Sequence, residues 1–348
     1  VFRTLYRQTN FPILQNRVYD TSEEAKKCPI GDIEIVEDLE TGLVHNSAFQ
    51  PELMVYDSQY NNEQALSQYF RRHLEQVADI VESQLGKENL VEVGCGKGFF
   101  LEALLARNLD VTGFDPAYDG KNERIIKKYF EPGIMRPAAG LILRHVLEHI
   151  QHPVDFLHQL KQANRNKGLI YIEVPCFEWI CQKRAWFDIF YEHVNYFRID
   201  DFRRIFSDII SAGRLFNGQY IYVVARLESL QKTVLNDGDQ ILFPSDFDKA
   251  LKAEIHNHPC AIWGGASKGV IFSLLKSRHN QNFDFAIDIN PAKQGKYLPL
   301  TALEVYSPEK AMQLLPAGSA VYVMNSNYLD EIRQMTQGKF NLIGIDHE

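Results

Sequence analysis

The sequence predicts an α/β protein: a central parallel sheet wrapped on both faces by helices, a small β-containing appendage before it, and a second, smaller α/β unit after it. Three observations predict this. Between residues 88 and 226, short apolar runs alternate with helical patterns, as parallel strands joined by crossover helices do. A glycine loop follows the first of those strands, and a second glycine loop follows a strand that starts at Cys260. The length, 348 residues, fits two domains and an appendage.

Composition narrows the function classes. A hydrophobic fraction of 45% is too high for a disordered chain, and no stretch approaches the ~18 uninterrupted apolar residues of a membrane span. A formal charge of −8 argues against a general nucleic-acid binder, which needs a basic face. The five cysteines (28, 95, 176, 181 and 260) are scattered without a CxxC pair, so neither a disulfide framework nor a cysteine metal site is expected. The opening VFRTLYRQTNF lacks a secretion-signal pattern, and a cytoplasmic protein is expected, as monomer or homodimer.

In chain order, residues 1–58 form the appendage. Gly31–Val36 alternates like a strand, Glu40-Thr-Gly42 reads as a turn, and Leu43–Asn46 offers a return strand. Residues 59–230 form the central domain. It opens with a helix from about Asn62 to Leu85, whose Phe70, Leu74, Val77, Val81 and Leu85 recur at helical spacing before Gly86. Strands follow at Leu90–Val93, Val111–Phe114, Leu141–Leu143 and Leu169–Val174, and Gln219–Ala225 closes the sheet. Residues 231–348 form the last domain, entered through a polar connection at 227–255, with strands at Cys260–Trp263, Phe285–Asp288, Ala320–Met324 and Leu342–Ile345.

The most informative segment is Leu90-Val-Glu-Val-Gly-Cys-Gly-Lys-Gly98, a strand running into Gly94, Gly96 and Gly98 and then a helix. Glycines there permit a tight turn and let a ligand approach the backbone and the helix start. Such a loop alone also fits NAD. Glu92 lies in the strand before it, and Asp115 ends the next strand in Gly113-Phe-Asp-Pro116, where an acid can take both ribose hydroxyls of a nucleoside. E-V-G-C-G-x-G followed by G-x-D-P resembles the first two motifs of class I S-adenosylmethionine methyltransferases, and Leu143-Arg-His-Val-Leu-Glu-His149 resembles their segment after the fourth strand. The resemblance implies a Rossmann-like domain that takes S-adenosylmethionine, releases S-adenosylhomocysteine, and uses Glu92, Gly94, Cys95, Gly96, Gly98, Asp115, Pro116, Arg144 and His145 to hold it. Ala138-Ala-Gly140 departs from the family, which usually opens that strand with an acid.

Phe187-Asp-Ile-Phe-Tyr-Glu-His-Val-Asn-Tyr-Phe197, just past the strand ending at Pro175, is dense in titratable and aromatic groups. Adjacent Glu192 and His193 suit acid–base work, and His149 ends the segment next to the cofactor loop. This stretch resembles the sugar C-methyltransferases of deoxysugar biosynthesis, which carry a Tyr-x-Glu-His motif and an upstream histidine. The interval from His149 to His193, 193 − 149 = 44, fits without a gap. The resemblance implies C-methylation beside the ketone of a nucleotide-linked sugar through an enolate, with His193 and Glu192 moving the proton and His149 supporting the enolate oxygen. The motif tyrosine is Phe190 here, so Tyr191 or His193 takes its role, or the acceptor differs and an oxygen or nitrogen is methylated; a non-catalytic protein that binds S-adenosylmethionine or a sugar nucleotide is the third reading. Tyr56–Ser67 resembles the family's tyrosine-rich entry to its first helix, which implies Tyr60 at the reaction centre.

That family normally opens with a zinc-binding domain. Only Cys28 stands in that region here, and Asp38, Glu40 and His45 read as turn residues, so no metal is expected there. The C-terminal half resembles the family closely in Trp263-Gly-Gly-Ala-Ser-Lys-Gly269, Asp288-Ile-Asn-Pro-Ala-Lys-Gln-Gly295 and Asn327-Tyr-Leu-Asp-Glu331. Backbone amides with Lys268 at a helix start suit an anion, and Asn327 is expected to face the interdomain cleft. The expected partner is a small molecule, a nucleotide-sugar by resemblance.

Overall fold

The computed structural model describes residues 1–54, 67–255 and 258–346. The appendage is built on a strand that sequence reasoning missed. β1 (Phe2–Pro12) pairs antiparallel with β2 (Ile30–Asp38) and is joined to it through the short α1 (Ser22–Lys26); β2 pairs with β3 (Val44–Asn46). β1 breaks alternation at two register shifts, between Thr4 and Tyr6 and between Gln8 and Phe11, which hides the period of two. The turn after β2 is made by Asp38, whose carboxylate accepts from the Glu40 amide and the Thr41 hydroxyl, each at 3.0 Å. Cys28 is buried against Tyr19 and Ala25.

The central domain opens with α2 (Gln68–Leu85). Its buried Phe70, His73, Leu74, Val77, Ala78, Val81 and Leu85 form one face, and it stops at Gly86, φ +83°. Then come β4 (Leu90–Val93), α3 (Phe99–Ala106), β5 (Val111–Phe114), β6 (Ile125–Ile126), β7 (Gly140–Arg144), α4 (Pro153–Ala163) and β8 (Leu169–Pro175). They are followed by α5 (Phe177–Gln182), β9 (Asn195–Tyr196), α6 (Ile199–Ile205), β10 (Ile209–Leu215) and β11 (Tyr220–Arg226). The sheet runs β6-β5-β4-β7-β8-β11-β10; β11 pairs antiparallel with both of its neighbours and the other pairings are parallel. β11 was expected to close the sheet; instead β10 lies outside it, a strand whose alternating exposure left only a weak apolar run. Strand order reverses between β4 and β7, so the carboxyl ends of β4, β5 and β7 open onto one crevice. β9 adds to β3, which ties the appendage to the loop after β8.

The last sheet is parallel throughout, in the order β14-β13-β12-β15-β16. Its elements are β12 (Ala261–Trp263), α7 (Lys268–Ser277), β13 (Phe285–Ile287), β14 (Val305–Tyr306), α8 (Pro308–Leu314), β15 (Ala320–Val323), α9 (Leu329–Met335) and β16 (Asn341–Gly344). The polar stretch expected to be a connection is instead packed against the appendage. Ile241, Phe247 and Leu251 are buried; the Ile241 amide donates to Glu37 Oε1 at 2.9 Å, and Tyr6 meets Phe247 edge-on at 5.2 Å. Trp186 of the central domain stacks on Phe272 of α7 with centroids 5.2 Å apart. Among the described residues no helix is long and apolar enough to cross a membrane.

Candidate active site

β4 lies between two parallel neighbours, so all four of its residues are buried, Glu92 included. The loop after it turns on three glycines with positive φ. A Cβ on Gly94 would sit 2.5 Å from Val146 Cγ2, and one on Gly98 would sit 2.4 Å from Ile125 Cδ1, so only glycine fits there. Gly96 is different: it is exposed, and a Cβ on it would meet none of the described residues within 4 Å. Asp115, just past β5, is locked to this loop. Its Oδ2 accepts from the Gly96 amide and its Oδ1 from the Ala117 amide, both at 2.8 Å, with Pro116 exposed between them. Cys95 turns its sulfur back into the sheet over Gly113. Burial raises the Glu92 carboxyl to about 8 against the opposing pull of Arg144, and its Oε2 has no hydrogen-bond partner among the described residues. An orphaned buried carboxyl oxygen, open space at a glycine turn and an acid at the next strand end fit a ribose-bearing cation such as S-adenosylmethionine.

Beneath the loop lies a hub that sequence reasoning missed. Glu173 of β8 is fully buried; Arg144 Nε (2.9 Å) and the Tyr171 hydroxyl (3.0 Å) donate to it, His73 Nε2 of α2 lies 2.8 Å away, and His145 Nε2 lies 3.3 Å away. Burial opposes its charge, but Arg144, His145 and His73 outweigh burial and hold the carboxyl well below the usual range. Burial likewise opposes charge on His145, yet the Glu148 carboxylate beside its Nδ1 and nearby Glu173 raise it to about 9. Arg144, expected to hold the cofactor, is thus committed to Glu173 and stacks over Phe100 at 4.4 Å. A carboxylate inside an apolar strand is the sequence signal that could have found Glu173.

The histidines expected to share a cavity do meet. His149 and His193 lie edge to face with ring centroids 5.0 Å apart, and Phe190 closes the other side of His193 at 4.8 Å. His149 Nδ1 is 2.9 Å from the Glu192 carbonyl, which only accepts, so Nδ1 carries the proton and Nε2 faces away. Glu148, His149 and His193 each bring one donor atom within 4.8 Å of the others. Burial, then neighbouring His149, pushes His193 down to about 3 and keeps it neutral. Glu192 turns toward the appendage, where its Oε1 accepts from the Gln15 amide at 2.7 Å. Tyr191 is not part of this group: its ring is buried beside Phe49, and its hydroxyl accepts from the Gln50 amide at 2.9 Å. Tyr60 lies outside the described residues.

Residues 64–209 match the family model described as a methyltransferase domain, and residues 247–343 match the model of a C-methyltransferase C-terminal domain. The chain is a class I S-adenosylmethionine-dependent methyltransferase. No curated protein matches this methyltransferase. Among solved structures it is similar to the 1,6-didemethyltoxoflavin-N1-methyltransferase of Burkholderia thailandensis, at 14% identity over 54% of this chain and 97% of that one, TM-score 0.36. A SAM-dependent methyltransferase of Archaeoglobus fulgidus is 16% identical over 46% of this chain and 100% of its own, TM-score 0.35.

The methyltransferase's second glycine loop repeats the geometry of the first. Asp288, just past β13, accepts from the Gly265 amide through Oδ2 and from the Asn290 amide through Oδ1, both at 2.8 Å, as Asp115 does. A cavity of about 210 Å³ opens above it, lined by Asn290, Lys293, Asn325 and Lys268. Lys268 is paired at 3.0 Å with Asp188 of the central domain and donates to Gln219 Oε1 at 3.0 Å, over the Trp179 ring. Asn327 crosses the same junction, donating to the Phe216 carbonyl and accepting from the Tyr69 hydroxyl, each at 3.3 Å.

Proposed function

We propose that this methyltransferase acts on carbon beside the ketone of a sugar carried on a nucleoside diphosphate. The observation that carries the reading is the paired His149 and His193 rings, centroids 5.0 Å apart, with Phe190 against His193 at 4.8 Å. The match of residues 247–343 to a C-methyltransferase C-terminal domain supports it. The Asp288 loop and its cavity are a second nucleoside-type cradle, suited to the carrier's ribose, and Lys268 and Lys293 suit its phosphates.

Glu92, the loop Gly94–Gly98 and Asp115 would hold S-adenosylmethionine, which supplies an electrophilic methyl group. The rest is this chain's own chemistry. His193, neutral at working pH, takes the proton on the carbon α to the ketone. His149, its ring held through Nδ1 at the Glu192 carbonyl, positions the enolate beside His193. Glu192 holds this segment against Gln15 and acts by positioning. Phe190 favours a second reading, O-methylation, because a hydroxyl acceptor needs only the His193 base.

The test incubates the enzyme with carbon-13 methyl S-adenosylmethionine and a panel of nucleotide-linked keto sugars, read by NMR. A new aliphatic methyl carbon establishes C-methylation; an oxygen-bound methyl establishes the second reading. His193→Ala should slow turnover by about 10²-fold or more while cofactor affinity stays within about twofold. Unchanged turnover would remove His193 from the chemistry.

A further inference from the structure

At the amino ends of the C-terminal strands, opposite the edge that faces the cleft, three donors of different chemistry come together. His258 and Cys260 lead into β12 and Asp284 leads into β13; the parallel pairing of these strands, with Ala261 opposite Phe285, brings the ends side by side. His258 Nδ1 lies 2.9 Å from Asp284 Oδ2 and 3.8 Å from Cys260 Sγ, and the three donor atoms all lie within 4.8 Å of one another.

We infer that His258, Cys260 and Asp284 form a binding site for a divalent transition-metal ion of the zinc class, which clamps the start of β12 to the start of β13. Metal bonds of about 2.0–2.3 Å in a tetrahedron separate the donors by ~3.3–3.6 Å, so the spacings of His258 Nδ1 from Asp284 Oδ2 and from Cys260 Sγ each need an adjustment of under about 0.5 Å. The donor set is already oriented, because the Cys260 amide donates to Asp284 Oδ2 at 2.8 Å. Among the described residues no lysine or arginine is paired with Asp284, so none competes with an ion for that carboxylate. A thiolate and a carboxylate balance the charge of a divalent ion, and the imidazole stays neutral. Sulfur and imidazole nitrogen favour zinc-class ions over magnesium or calcium, which take oxygen ligands. The His258 and Asp284 side chains are 54% and 41% exposed, which gives the ion an entry path and leaves the fourth position to water, while Cys260 stays buried.

The test titrates cobalt(II) into the full chain under anaerobic conditions and follows thiolate-to-cobalt charge-transfer absorption. One equivalent should saturate that band. Cys260→Ser should abolish it, and His258→Ala, a change at a half-exposed position, should weaken binding by at least about tenfold with the fold intact by thermal unfolding. Zinc should raise the unfolding midpoint of the wild type but not of His258→Ala. His193→Ala should keep the band, because the Glu148–His149–His193 group contains no thiol. No thiolate band in the wild type, or equal binding by His258→Ala, would overturn the site and leave a hydrogen-bonded His258–Asp284 pair beside a buried thiol.

Discussion

Glu92 and Glu173 are both buried in strands of one sheet, yet their carboxyls move in opposite directions. Glu173 has three basic partners and an aromatic hydroxyl; Glu92 keeps an oxygen that has no partner among the described residues. The folded chain therefore holds a proton on Glu92 that an unfolded chain releases between the ordinary carboxylate range, about 4.3, and about 8. Stability from this residue is present below that window and falls as pH rises through it. Glu92→Gln should raise stability at pH 8 by on the order of 2 kcal/mol, and by almost nothing at pH 4, measured by urea unfolding. The same substitution should weaken S-adenosylmethionine binding if the orphaned oxygen serves the cofactor.

At the scale of elements, the β4–α3 loop separates glycines needed for the fold from one kept clear for a ligand. A methyl on Gly98 would strike Ile125 within the sheet, so Gly98→Ala should cost well over 1 kcal/mol of stability, on the order expected for an overpacked core position. Gly96→Ala meets only the left-handed backbone penalty of about 1 kcal/mol, yet it projects a methyl into the open space of the proposed cofactor site. Calorimetry with S-adenosylhomocysteine should show Gly96→Ala losing affinity by about tenfold or more at modest cost in stability. Equal affinity in this variant would place the ligand elsewhere. The start of α2 shows another division of labour: Ser67 caps it by accepting from the Phe70 amide, and the Ser67 hydroxyl donates to Glu331 of α9 at 2.8 Å. The helix under the cofactor site is therefore fixed to the C-terminal domain at its first turn.

Across the whole molecule, the His149–His193 segment and the second glycine loop are joined through the appendage. Glu192 holds the Gln15 amide, and the Gln15 carbonyl accepts from the Ser267 amide at 3.0 Å. Ser267 has φ +39° and donates its hydroxyl to Asn16 at 2.8 Å, so the appendage supports a strained residue directly before Lys268. Lys268 in turn closes onto Asp188 and Gln219. Lys268→Met should raise KM for a nucleotide-linked acceptor by about tenfold or more and leave cofactor affinity within about twofold. A shift in cofactor affinity with KM unchanged would show that Lys268 serves the junction and not the acceptor.

The sequence by itself determined the strands and glycine turns of both α/β units, because a buried parallel strand must be apolar along its length and a turn crowded by Val146 or Ile125 admits no side chain. It also determined which histidines meet: a carboxyl-end segment after β7 and the loop after β8 open onto one edge in any sheet of this order. Three things waited for the tertiary structure. β1 and β10 were hidden by register shifts and by weak, half-exposed alternation, and packing decides such strands more than propensity does. Arg144, Tyr191 and Glu192 were placed by residue type, but their partners, Glu173, Gln50 and Gln15, lie 29, 141 and 177 residues away along the chain. The pairing of Asp284 with His258 and Cys260 likewise exists only because β12 and β13 lie side by side. Residue type sets which chemistry a side chain can perform; long-range packing sets which neighbour it faces, and so its charge state and its role.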